Sequence, residues 1–180
     1  GRNSEKLAER ATTLTLVDVN SENIAFCQKK FAERNFRYVV NNGYDFTGVP
    51  DGSATFFYCF DSAVHFDIEI IISYIKDFRR ILAPGAYGFM HHSNETRTPG
   101  IDFRQHPQWR NFMSKEVFKH VCIRNGLTIV DQHVLDWGQP KRFPDTDCFS
   151  LFRKPVPGEV EPTKLTKQSG LLSRLREAFR

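Results

Sequence analysis

Between Leu14 and Phe66 the chain reads TLVDVN, then VVNNGYDF, then DGSATFFYCFDSAVHF: three short apolar runs of β-branched and aromatic residues, each stopping at acidic or amide side chains. Such runs suit strands of an open α/β sheet. Polar groups at the carboxyl ends of its strands are where such a sheet binds ligands.

The segments around this stretch alternate helix and strand. Ser4 to Ala11 is expected to be a helix capped by Asn3 or Ser4, and Leu14 to Val17 the strand that stops at Asp18. Asn20 and Ser21 cap a helix over Glu22 to Glu33, followed by a strand from Phe36 to Val40 and a turn at Asn41-Asn42-Gly43. Ala54 to Phe60 is nearly continuous in apolar residues, the pattern of a strand covered on both faces. Asp67 is placed to cap an amphipathic helix, Ile68 to Leu82, which Ala83-Pro84-Gly85 stops before a strand from Tyr87 to Met90. Ser114 caps a helix from Lys115 to Asn125. Leu127 to Leu135 and Asp147 to Phe152 then read as an antiparallel pair at the sheet edge, joined by a Pro-rich loop.

Charge separates the body from its tail. Of 25 Lys and Arg and 21 Asp and Glu, residues 153–180 hold seven and three, so the first 152 residues balance at 18 against 18. A neutral body lacks the concentrated basic footprint that phosphate neutralisation demands, which argues against nucleic acid as the partner. Cys27, Cys59, Cys122 and Cys148 are far apart and match no zinc spacing; Cys27, Cys59 and Cys122, set among apolar neighbours, are expected to be reduced, buried thiols in a cytoplasmic protein. No run approaches the length of a transmembrane span. Residues 155–168 have the composition of a linker, and Ser169 to Arg180 that of a short basic amphipathic helix, which would dock on this body, on a partner chain or on a following domain.

Polar tips after Val17, Val40, Phe60 and Met90, and a closing hairpin, give residues 1–154 a pattern that resembles the class I S-adenosylmethionine-dependent methyltransferases. The most specific part is VVNNGYDFTGVPDGSATFFYCFDSAVHF, the helix IIISYIKDFRRIL and the turn APGAYGFM. The resemblance implies a Rossmann-like α/β fold, a mostly parallel sheet with helices on both faces and an antiparallel strand pair at the C-terminal end. It also implies S-adenosylmethionine as cofactor. Carried over by position, Asp18 holds the ribose hydroxyls, Asn41, Asn42 and Gly43 form the adenine loop, which Tyr44, Asp45 and Phe46 could wall, and Phe60, Asp61 and Ser62 lie beside the methionine part. Gly1 resembles the tail of the glycine-rich loop. The remainder of that loop and the first strand are not in the sequence, which would leave two strands without a neighbour unless a preceding or separate segment supplies it.

Methyl transfer needs alignment of nucleophile and methyl, and a hydroxyl nucleophile also needs a base. His65 and His91 are the candidate catalytic residues, because imidazole titrates near neutrality. Adjacent strand residues face opposite ways, so of His91 and His92 one at most faces the site. His92, Asn94, Arg97, Arg104 and Trp109, in and before a polar loop from Glu95 to Asn111, are the candidate contacts to a small-molecule or glycan acceptor. No metal site is expected. The rival readings are a NAD(P)-dependent oxidoreductase, since Asp18 suits a dinucleotide ribose equally well, and a non-catalytic binding or scaffold domain.

Overall fold

Local chemistry explains where the helices begin. Asn20 accepts from the Glu22 amide at 2.8 Å and starts α2 (Ser21–Lys30), while Ser114 accepts from the Val117 amide at 3.1 Å and starts α4 (Lys115–Arg124). α1 covers Arg2–Ala8 and α3 Ile68–Ile81; the strands are β1 (Thr15–Asp18), β2 (Arg37–Val40), β3 (Ala54–Cys59), β4 (Leu82–Ser93), β5 (Thr128–Trp137) and β6 (Phe143–Arg153). A computed structural model describes residues 2–138 and 143–159. Gly1, the linker from residue 160 and the expected terminal helix over 169–180 lie outside the described residues.

The chain forms two compact units that part between Asp51 and Gly52. In the first, β1 and β2 pair in parallel, Thr15 with Arg37 through Asp18 with Val40. Ala8, Ile24, Cys27, Phe31, Phe46 and Val49 are its buried apolar side chains.

The second unit holds a four-stranded sheet in the order β3-β4-β6-β5. β3 and β4 run parallel, whereas β6 lies antiparallel between β4 and β5. The antiparallel hairpin is therefore at one side of the sheet, with β5 outermost. Among the described residues β1 has one neighbour, β2, and β3 has one, β4. β3, expected to be covered on both faces, leaves Phe56 43% exposed.

β4 is longer than its sequence suggests. Extended backbone begins at Leu82, which pairs with Ala54, and the Pro84-Gly85 break becomes a register shift within the strand. Gly85 adopts φ 80°, and its amide and the Ala86 carbonyl pair with Lys154. Once Gly85 takes that conformation, the strand passes through a punctuation signal that in isolation ends an element.

Alternation along β4 and β6 sorts the core. His92 and Phe152 face α3 and α4, where Phe78 packs 5.0 Å from Phe152 and His92 stacks 4.2 Å from Phe118. Phe89, His91, Phe149 and Leu151 face the other side with Tyr58 and Phe60. Burying each of Phe78, Phe118 and Phe152 completely contributes roughly 2–3 kcal/mol. Gly88 is required by this packing, since a Cβ there would stand 2.2 Å from the Phe152 ring.

Candidate active site

In the first unit, Asp18 closes β1. Its Oδ1 accepts from the Asn20 amide at 2.8 Å and its Oδ2 from Asn23 Nδ2 at 3.1 Å. One donor on each oxygen leaves each a lone pair, so the carboxylate can still accept from two vicinal hydroxyls. Asn41 donates its side-chain N–H to the Asp45 carbonyl at 2.9 Å, and Gly43 takes φ 83° as the Asn-Gly turn demands. Asn42 is different. Its Oδ1 receives the amides of Tyr44 and Asp45 at 2.8 and 3.0 Å, so both lone pairs serve the turn. The expectation that it accepts from an adenine amino group gives way to ordinary turn chemistry. Phe46 is buried in this unit rather than exposed as a wall, while Tyr44 is 59% exposed.

In the second unit β3 leads into Phe60, Asp61 and Ser62, then one 3-10 turn over Ala63–His65. Phe60 and Asp61 are half-buried and Ser62 is exposed. Asp61 has φ 59°, a left-handed conformation that is rare outside glycine. His65 is also half-buried, and its Nδ1 lies 2.9 Å from the Trp109 carbonyl. A carbonyl only accepts, so Nδ1 carries the proton and Nε2 of the neutral ring keeps its lone pair.

The segment after β4 is fastened at its base. Asn111 donates from its side chain to the His65 carbonyl and to Asp67 Oδ1, and its amide bonds the Val64 carbonyl. Asp67 Oδ1 also accepts from the Phe103 amide at 2.9 Å. The Asp67 carbonyl accepts from the Ile70 and Ile71 amides at the start of α3, but its side chain makes no cap bond there and is held by this loop instead. Glu95 and Phe112 bridge, so the exposed excursion is confined to the residues between them.

Two histidines move out of the roles expected of them. His91 is 1% exposed and His92 wholly enclosed, so neither reaches solvent or an acceptor. His92 donates from Nδ1 to the Ser93 carbonyl at 2.7 Å and accepts at Nε2 from the Ser150 hydroxyl at 2.8 Å. Burial lowers its pKa from 6.5 to about 4, so it is a neutral core side chain rather than a substrate contact. His91 accepts the Asp61 amide at Nδ1 and donates from Nε2 to Asp147 Oδ2 at 2.9 Å. Both its nitrogens are occupied, which removes it as a catalytic base.

Asn94 is likewise structural. Its Oδ1 caps the Lys115 amide, its Nδ2 bonds the Asp145 carbonyl, and its amide bonds Thr146. Arg97 forms a multidentate pair with the buried Glu95, whose carboxyl the Arg97 guanidinium holds below its usual range. Arg104 is exposed, and Trp109 is half-buried with its ring edge-on to Phe143 at 4.7 Å.

Sequence reasoning missed Arg110 and Asp147. Arg110 is 4% exposed and grips Asp147 with two bonds of 2.8 Å, its guanidinium 3.9 Å from the centre of the Trp137 ring. Burial works to raise the Asp147 pKa, but hydrogen bonds from Arg110 and His91 outweigh it and hold the carboxyl below its usual range. The sequence sign was an acid heading the apolar run DCFSLF.

Parallel strands followed by an antiparallel hairpin, with polar turns after β1, β2 and β3, define a Rossmann-like methyltransferase fold. Residues 1–85 match the family described as methyltransferase domain. That match covers just under half of the chain, and over most of its length the chain shares its fold with solved methyltransferase structures. It is similar to a SAM-dependent methyltransferase from Methanosarcina mazei, with 15% identity over 85% of this chain and 87% of that one and a TM-score of 0.63. NodS, an N-methyltransferase from Bradyrhizobium japonicum WM9 in complex with S-adenosyl-L-homocysteine, shows 20% identity over 84% and 71% of the two chains and a TM-score of 0.61. The [4+2]-cyclase SpnF shows 15% identity over 87% and 71%, with a TM-score of 0.66. No curated protein matches the chain in sequence. Among the described residues no helix is long and apolar enough to cross a membrane, and no group of three or more His, Cys, Asp or Glu is placed to hold a metal ion.

Proposed function

We propose that the chain binds S-adenosylmethionine and transfers its methyl group to an oxygen of a small polar acceptor, such as a sugar or a phosphate-bearing molecule. When bound, this cofactor supplies a methyl group on a sulfonium, which leaves without needing an acid. Asp18 accepts from the ribose hydroxyls, for which it has one lone pair on each oxygen. Asn41 and Gly43 belong to the adenine loop, and Phe60, Asp61 and Ser62 serve the methionine part. Gly1 is proposed for that cofactor as well, by position alone.

The observation that carries the choice of an oxygen acceptor is the state of His65. With its Nδ1 proton committed to the Trp109 carbonyl, Nε2 is oriented as a proton acceptor, which a hydroxyl nucleophile needs. Arg104, on the exposed excursion, and Trp109 are the proposed acceptor contacts. Arg97 contributes only where an anionic group competes with Glu95 for it.

Isothermal calorimetry with S-adenosylhomocysteine, followed by an assay for its formation against hydroxylated and amine acceptors, tests the proposal. Binding with turnover on a hydroxylated acceptor supports it. Absence of cofactor binding overturns it entirely, and turnover confined to amines overturns the oxygen assignment.

A further inference from the structure

We propose that His91 is a positioning residue that holds the turn after β3 in place, with Asp147 and Arg110 as its buttress. The inference deepens the reading above and rests on it only for the consequence at the cofactor.

The turn is an unusual thing to hold. A residue with a Cβ pays roughly 1 kcal/mol to sit at the φ of 59° that Asp61 adopts. Such strain persists where surrounding structure fixes it, and it collects at functional sites. The fixing group is visible here: the Asp61 amide donates to His91 Nδ1 at 3.3 Å. Because Nδ1 accepts, the proton of the ring lies on Nε2, which donates to Asp147 Oδ2 at 2.9 Å. Asp147 accepts only, and Arg110 donates to both its oxygens.

Every proton in this chain of bonds has one assignment, running from amide to imidazole to carboxylate, with the guanidinium closing the far end. The ring cannot swivel, since Phe60 and Phe149 stand 5.0 and 4.8 Å from it. Asp147 and Arg110 cancel in charge, and both side chains are buried. Its parts come from β4, β6 and the segment before α4, and Arg110 rests on Trp137 of β5. All of them converge on one backbone N–H. The consequence is that the Asp61 carboxylate and the Ser62 hydroxyl are set in direction before any ligand arrives, which reduces the ordering cost of binding.

Two replacements separate the two ends of the ring. In His91→Asn the side-chain oxygen stands where Nδ1 was and still accepts the Asp61 amide, whereas in His91→Gln the amide nitrogen stands where Nε2 was and serves only Asp147. A mere filler of the core would depend on size and not on which end is kept. Amide hydrogen exchange on the full chain without ligand should show the Asp61 N–H exchanging roughly tenfold faster in His91→Gln than in His91→Asn. S-adenosylhomocysteine affinity should follow the same order, about tenfold weaker in the Gln variant. Equal exchange in the two variants, or affinity in the reverse order, overturns the proposal. Should either variant fail to fold, nitrogen NMR of wild-type His91 decides: an unprotonated Nδ1 with a protonated Nε2 is expected, and the opposite tautomer overturns it. If the wild-type chain binds no S-adenosylhomocysteine, the methyltransferase reading falls, while exchange and tautomer still judge His91.

Discussion

The Trp109 carbonyl oxygen lies 2.9 Å from His65 Nδ1, and this contact leaves the opposite ring nitrogen as the one able to take a proton. Replacing His65 with Ala or Gln is expected to lower turnover on a hydroxylated acceptor by roughly 10²–10⁴-fold, the usual range for loss of a positioned base. Affinity for S-adenosylhomocysteine should stay close to that of the wild type. A parallel loss of both would make His65 a structural residue, and steady-state kinetics with calorimetry distinguishes the two.

Asp18 offers a cleaner separation of fold from binding. Asp18→Asn keeps an oxygen for the Asn20 amide, so the turn into α2 survives, but it removes the charge and one acceptor. Charge-assisted bonds contribute about 1.5–3 kcal/mol, so cofactor affinity should fall at least about tenfold while the thermal midpoint hardly moves. Unchanged affinity in calorimetry would reduce Asp18 to a helix-start residue.

The Arg110–Asp147 pair makes a prediction about stability. Arg110→Met leaves a buried carboxylate without its main partner and should cost about 3–5 kcal/mol in urea unfolding. Arg110→Met combined with Asp147→Leu should recover most of that loss, because the uncompensated charge is gone. Losses that simply add would mean that the two side chains do not act as a pair.

His92 predicts how stability depends on acid. Its pKa is about 4 in the folded chain against 6.5 when unfolded. Between those values the unfolded chain binds the extra proton, so stability is fully present above about pH 6.5 and falls as pH drops toward 4. The loss is of the order of 3 kcal/mol. His92→Gln should remove that part of the slope in unfolding midpoints followed across pH, and an unaltered slope would assign the acid sensitivity to another group.

Lys154 closes the far end of α3. Its Nζ donates to the Arg79 and Leu82 carbonyls at 2.6 and 2.7 Å, satisfying oxygens that the helix cannot pair. Lys154→Met is expected to lower stability by about 1–2 kcal/mol in the same unfolding measurement, with no change in cofactor affinity.

The helix starts at Asn20 and Ser114 were legible because capping is local: one side chain meets a backbone N–H two or three residues on. Asp67 defeated the same logic, since its carboxylate is claimed by Phe103 and Asn111, more than 35 residues away in sequence. Asn42 shows the converse, a side chain assigned to a ligand that its own turn uses completely.

The adjacent histidines mark the boundary most clearly. Strand alternation was enough to send them to opposite faces, and they do part, His92 onto Phe118 and His91 onto Phe149. Nothing in the order of residues told that both faces are closed there. Periodicity, capping and turn chemistry act over a few residues, so the sequence by itself determined the alternation of helices and strands and the polar tips after β1, β2 and β3. Which of those polar groups meet each other depends on strand order: β6 enters between β4 and β5, carries Asp147 to His91, and spends on the interior a histidine that composition alone would assign to catalysis.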